Sequence, residues 1–183
     1  SRPIVRLLSQ PPERTWVIAS AAYADRVANE LPDIPRRNII GEPMGRDTAN
    51  AIGLAAHLLA QSDPDGTMAV FTADHLIEPQ ASFSAAIEAG LTAAEADPTS
   101  LVTFGITPDS PHTGYGYIHR GESIAPMTFR VREFREKPTR EVAGDYVRSG
   151  DYFWNSGMFA WKLPAILGEL KRHLPENDAL LAE

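Results

Sequence analysis

Met68–Thr72 (MAVFT), Ser82–Ala96 (SFSAAIEAGLTAAEA) and Leu101–Ile106 (LVTFGI) are the three runs from which the fold can be read outward. The first and last are short and rich in apolar, β-branched and aromatic residues, as buried strands are, whereas the middle run sets Phe83, Ile87 and Leu91 at i, i+4 and i+8 on one helical face. Strand, helix and strand in this order are βαβ grammar. Upstream the alternation repeats: Thr15–Ala19 (TWVIA) predicts a strand, Ala21–Leu31 a helix and Asn38–Ile40 a short strand, with Pro32 and Pro35 separating the last two. Asp47 or Thr48 is suited to cap a helix through Ala60, because a short side-chain oxygen accepts a free N–H of the first turn. Downstream the pattern changes. Gly114–Arg120, Phe129–Glu136 and Tyr152–Lys162 read as strands, with Thr139–Arg148 helical between the last two. Pro164 suits the first turn of a closing helix through Leu174. Gly121–Thr128 (GESIAPMT) is the best candidate for a mobile loop. The expected fold class is α/β, a mixed and mostly parallel sheet flanked by helices, with extra strands in the second half and no repeat or linker.

Composition narrows the chemistry. The 183 residues contain no Cys, which excludes a disulfide framework, a Cys-based zinc site, an iron–sulfur cluster and a thiolate nucleophile. A chain of this length can bury its own core without such staples. With 17 Lys+Arg against 24 Asp+Glu, the net charge of −7 argues against a general nucleic-acid or membrane-surface binder, which needs a concentrated positive field. Apolar runs such as Ala51–Ala56 fall far short of the roughly 18–20 residues that span a bilayer, and no signal peptide is read at the start. A cytoplasmic protein with no nucleic-acid or membrane partner is therefore expected. The five His form no HExxH pattern, and neither a G-x-S-x-G elbow nor a G-x-x-x-x-G-K-S/T loop occurs. Zinc-site, serine hydrolase and P-loop readings lose their main support.

Several polar residues stand where an α/β domain can use them. Asp74 follows a predicted strand at the carboxyl edge, where ligands bind, and its hard oxygens suit Mg²⁺ completed by a phosphate substrate; a turn cap or surface acid is the plainer reading. Glu136 and Lys137 end another strand, so a carboxylate for hydroxyls and an ammonium for phosphate would share a crevice, unless they form a solvated ion pair. Thr113-Gly114-Tyr115-Gly116-Tyr117 places two glycines where backbone can approach a ligand or simply turn. Asn155, an amide among apolar neighbours, needs partners from a ligand or from a network within the fold. Gly41–Thr48 runs into a helix N-terminus, where free N–H groups favour anions.

Taken together, EPMGRDTANAIGLAA, FTADHLI, LVTFGITPDSPHTGYGYI, FREKPTREVAGDYV and FWNSGMFAWK resemble the mannose-1-phosphate guanylyltransferase family in order and spacing, from Trp16 to Leu174. The resemblance implies a Rossmann-like nucleotidyltransferase fold making GDP-mannose and pyrophosphate from GTP and mannose 1-phosphate. It also implies a Mg²⁺ ligand at Asp74 and a sugar-phosphate contact at Lys137, the two catalytic candidates. Tyr115, Gly116, Glu136 and Asn155 would hold the hexose, and Arg46, Asp47 and Thr48 would lie near guanine and ribose. Homo-oligomerisation stays open. A glucose 1-phosphate enzyme and a catalytically inactive regulatory homologue are the alternatives.

Two local departures from the family pattern stand out. Arg46-Asp47-Thr48-Ala49-Asn50-Ala51 replaces Arg-Asn-Thr-Ala-Pro-Ala, and His112 takes the place of the Glu usual before Thr-Gly-Tyr-Gly. The family pattern further implies a first strand and a Gly-rich loop ahead of Ser1-Arg2-Pro3, a helix at Ile4–Gln10 and a continuation past Glu183. Residues 1–183 would then be a nucleotidyltransferase domain without those parts.

Overall fold

The computed structural model describes residues 11–42 and 48–182. The helix expected at Ile4–Gln10 lies outside them. The chain divides into two compact units, Ser1–Met68 with Leu163–Glu183, and Ala69–Lys162.

In the first unit, β1 (Val17–Ser20) pairs in parallel with β2 (Ile39–Glu42), Val17 opposite Ile39 and Ser20 opposite Glu42. Parallel strands need a crossover, supplied here by a 3₁₀ turn at Ala21–Tyr23 that leads into α1 (Ala24–Glu30). Ala24, Ile34 and Ile39 are buried, with Val17, Val27, Ala28 and Leu31 packed against them. Asn38 is buried beside them because its amide donates to the carbonyls of Glu13 (2.9 Å) and Thr15 (3.1 Å), tying the entry of β1 to that of β2.

Among the described residues this unit also holds α2 (Thr48–Ala60), α5 (Leu163–His173) and α6 (Pro175–Leu181). A methyl on Gly53 of α2 would stand 2.7 Å from Leu181 Cδ1 and 3.3 Å from Leu170 Cδ1, so glycine permits their close approach. His57 Nε2 meets Asp178 Oδ1 at 2.9 Å, and Asn177 donates to Asn50 Oδ1 at 2.7 Å. The closing helix expected from Pro164 through Leu174 is found as α5, and the short helix α6 follows it. Pro175 disfavours the helical backbone at the residue before it, and Leu174 adopts φ −135°, ψ 55° between α5 and α6.

The strand β3 (Thr67–Val70) spans the division between the units. The second unit continues with α3 (Gln80–Ala96), β4 (Val102–Ile106), β5 (Gly116–Ala125), β6 (Thr128–Glu136), α4 (Arg140–Ser149) and β7 (Tyr152–Lys162). The sheet runs β3-β7-β5-β6, with β4 also on β7. Here the expectation of a mostly parallel sheet is met only in part, since β4–β7, β5–β7 and β5–β6 are all antiparallel. Hydrophobic alternation marks a strand but not its direction. The two residues Pro126 and Met127 joining β5 to β6 permit only an antiparallel hairpin. The same hairpin corrects the reading of Gly121–Thr128 as a mobile loop: β5 extends to Ala125, and Met127 turns the chain at φ 59°.

Local signals explain the element ends. Thr139 caps α4 by accepting from the Val142 N–H, and Gly150 closes it at φ 71°. Tyr146 of α4 stacks on Tyr152 of β7 (3.8 Å between ring centres), which stacks in turn on His119 of β5 (4.3 Å), fastening the helix to the sheet.

After α3, the Asp97 carboxylate accepts from Thr99 Oγ1 (2.7 Å), Ser100 Oγ (2.8 Å) and the Thr99 N–H (3.2 Å). These bonds, the Thr99 hydroxyl first, favour the charged form and hold its pKa below the ordinary carboxylate range. A lowered folded-state pKa contributes stability above the unfolded value, and that contribution is lost as pH falls through the folded value. Asp97→Asn should therefore melt below wild type at neutral pH, and the gap should shrink on acidification below about pH 4. Thermal unfolding across a pH series checks this; a gap independent of pH contradicts it.

Candidate active site

The register of the second unit gathers most of the candidate polar residues at one end of its sheet. Gly116 at the start of β5 lies opposite Glu136 at the end of β6, Tyr117 lies opposite Trp154, and Gly105 lies opposite Asn155. A methyl on Gly116 would stand 2.9 Å from Glu136 Oε2 and 2.7 Å from Phe134 Cζ, so only glycine leaves the carboxylate where it is. Glu136 itself is exposed.

Lys137 follows at φ 43°, a left-handed conformation that costs a residue with a Cβ about 1 kcal/mol. Its N–H donates to the Tyr115 carbonyl at 3.2 Å, which holds the turn in place and leaves the side chain exposed. Thus Lys137 and the Tyr115-Gly116 segment are joined through the backbone.

The Pro111–Tyr115 loop is held by a residue to which sequence reading gave no role. The His112 ring stacks on Tyr115 (4.0 Å between centres, 15° between planes), its Nδ1 accepts from the Gly114 N–H (3.1 Å), and its carbonyl accepts from the buried Tyr117 hydroxyl (2.8 Å). Trp154 meets Tyr115 edge-on at 5.2 Å. His112 was visible in the sequence only as a departure from the family pattern. That a ring nitrogen can accept the N–H two residues ahead, as Asn and Asp oxygens do in turns, was the available signal.

Asn155 serves an internal network with one end of its amide: Oδ1 accepts from the Thr103 hydroxyl (3.1 Å) and the Gly157 N–H (3.3 Å). Thr103 is thus a second residue that the sequence did not single out.

Asp74 stands in the loop after β3 with its side chain 85% exposed, and His75 Nε2 is 3.9 Å from Oδ1. Among the described residues no group of three or more His, Asp or Glu could by itself hold a metal ion. A lone, exposed carboxylate does fit a divalent cation whose remaining ligands are water and phosphate oxygens, the usual arrangement for Mg²⁺ with nucleotides. Arg46 and Asp47 lie outside the described residues. Thr48 is the first residue of α2 in the first unit.

An α/β chain whose sheet end carries a carboxylate, an ammonium and an amide suits group transfer between phosphates. The Nucleotidyl transferase family model matches residues 1–182, and the chain belongs to that family. Its relatives include the mannose-1-phosphate guanylyltransferase of Escherichia coli K12, 44% identical over 181 residues (94% of this chain, 37% of the relative). Another is mannose-1-phosphate guanylyltransferase RfbM of Salmonella typhimurium, 44% identical over 177 residues (94% and 36%). Among solved structures, mannose-1-phosphate geranyltransferase from Thermus thermophilus superimposes with a TM-score of 0.85 at 32% identity, covering 97% of this chain and 51% of that one. The chain spans little more than a third of the curated relatives it matches.

Proposed function

We propose that the protein transfers the guanylyl group of GTP to mannose 1-phosphate, giving GDP-mannose and pyrophosphate. The observation that carries this is the convergence of Gly116, Glu136 and Asn155 at one sheet end, with Lys137 tied to Tyr115, in a chain 44% identical to enzymes named for that reaction. A phosphate oxygen of the sugar attacks the α-phosphorus of GTP; the new O–P bond forms as the bond to the β-phosphate oxygen breaks and pyrophosphate leaves. No covalent enzyme intermediate is required, so catalysis rests on position and charge.

Lys137 brings its ammonium to the sugar phosphate, where it offsets anionic repulsion between the two substrates. Glu136 accepts hydrogen bonds from hexose hydroxyls, the Tyr115-Gly116 backbone approaches the ring, and Asn155 adds its amide. Arg46, Asp47 and Thr48 serve guanine and ribose. Asp74 would hold Mg²⁺, which when bound neutralises phosphate charge. Residues 1–183 act as the nucleotidyltransferase domain of a cytoplasmic enzyme. No helix among the described residues is long and apolar enough to cross a membrane.

Pyrophosphate release measured with GTP, ATP, UTP and dTTP against mannose 1-phosphate and glucose 1-phosphate tests the reading. The pair GTP and mannose 1-phosphate should exceed every other by at least about 100-fold, because a wrong base leaves buried hydrogen-bonding groups unpaired. Equal rates with ATP, or a preference for glucose 1-phosphate, would overturn it.

A further inference from the structure

We infer that Thr103 is a positioning residue that turns the N–H₂ end of Asn155 toward the hexose, so that Asn155 reads its ligand as a hydrogen-bond donor and never as an acceptor. This rests on the function proposed above and adds to it a residue and a polarity.

An amide side chain offers an oxygen at one end and two N–H groups at the other, and nothing in its identity says which end a ligand meets. Here the fold decides. Between Thr103 and Gly105 the pairing of β4 with β7 shifts, Thr103 lying opposite Phe159 and Gly105 opposite Asn155, so β7 carries two additional residues in a bulge. Within that bulge Gly157 takes φ 70°, a conformation open to glycine, and its N–H turns back to Asn155 Oδ1 at 3.3 Å. The Thr103 hydroxyl reaches the same oxygen from the neighbouring strand at 3.1 Å. Both acceptor directions of Oδ1 are then in use.

Reversing the amide would press its N–H₂ against the Gly157 N–H, which can only donate. Ser156 locks the bulge from the other side: its hydroxyl donates to the Phe104 carbonyl (2.7 Å) and accepts from the Met158 N–H (3.2 Å), and the residue is 5% exposed. The nitrogen of Asn155 has no protein partner among the described residues. Nor is it among the sealed, unpaired polar atoms, which are Asn38 Oδ1, Thr72 Oγ1, Trp154 Nε1 and Trp161 Nε1. It is therefore open to a ligand. Glu136, two strands away across β5, has a carboxylate that only accepts. The two residues impose opposite polarities, a donor from Asn155 and an acceptor from Glu136.

Asn155→Asp separates this from a merely structural role. The aspartate keeps an oxygen for Thr103 and Gly157 but replaces N–H₂ by a second acceptor. We expect wild-type thermal unfolding, an unchanged KM for GTP, and a KM for mannose 1-phosphate raised about tenfold, since the substrate oxygen held by the N–H₂ loses its donor. Thr103→Val, which removes the hydroxyl at nearly constant volume, should raise the same KM several-fold, and Thr103→Ser should restore it. An unchanged sugar KM in Asn155→Asp overturns the inference, as does identical behaviour of Thr103→Val and Thr103→Ser. If wild type turns over only another sugar 1-phosphate, the mannose reading fails and the same variants test the inference with that sugar. Absence of turnover with any sugar 1-phosphate overturns both.

Discussion

Lys137→Ala is expected to slow pyrophosphate release from GTP and mannose 1-phosphate by about 100-fold or more while leaving thermal unfolding nearly unchanged. A hydrogen bond between ammonium and phosphate contributes roughly 1.5–3 kcal/mol, and each 1.4 kcal/mol is tenfold in rate. Charge stabilisation in the transition state adds to that. Stability should be spared for two local reasons. The Lys137 side chain is exposed, and the bond that holds its turn is made by the backbone N–H to Tyr115, which alanine retains. Alanine also bears a Cβ at φ 43°, so it carries the same strain as lysine. Lys137→Gly sharpens the test: it relieves the strain and should melt slightly higher, yet be just as slow. A Lys137→Ala enzyme within threefold of the wild-type rate would remove Lys137 from the chemistry.

Asp74→Asn should have an effect of similar size by a different route. The substitution keeps the shape and one carbonyl oxygen but removes the charge that draws a divalent cation. Asp74 is 85% exposed, so it contributes little to stability, and an exposed substitution of this kind usually stays within about 0.5 kcal/mol. We expect turnover to fall about 100-fold or more with wild-type unfolding, and the concentration of Mg²⁺ needed for half-maximal rate to rise. If Asp74 only capped the turn after β3, asparagine would cap nearly as well and the enzyme would stay active. Full activity of Asp74→Asn at limiting Mg²⁺ would end the metal assignment.

His112 illustrates how a departure from a family pattern can be absorbed. A glutamate at this position would bring a charge and a flexible side chain, whereas the imidazole supplies a flat surface for Tyr115 and a single acceptor for the Gly114 N–H. The backbone course from Pro111 to Tyr117 is thereby set by contacts within the loop and by the Tyr117 hydroxyl beneath it.

Most of the elements were legible in the order of amino acids, and the candidate residues were chosen there. Periodicity is a local property, so β7 was read with its observed ends and α3 to within two residues of its start. The helix read at Thr139–Arg148 is displaced by one residue from the observed α4, whose ends are set by the caps at Thr139 and Gly150. What escaped such reading were relations between distant segments. Strand direction in the second unit follows from a two-residue hairpin and from which edges meet, and neither is encoded in alternation. The end of α5 was read to within a residue, whereas the short α6 beyond Pro175 was not predicted. The orientation of Asn155 is the sharpest case. Its identity marks a polar group needing partners, but which end faces outward is decided by a hydroxyl 52 residues away on a neighbouring strand and by a glycine in a bulge. Hydrogen-bond polarity at a site is a property of packed strands, and those strands meet only when the chain folds.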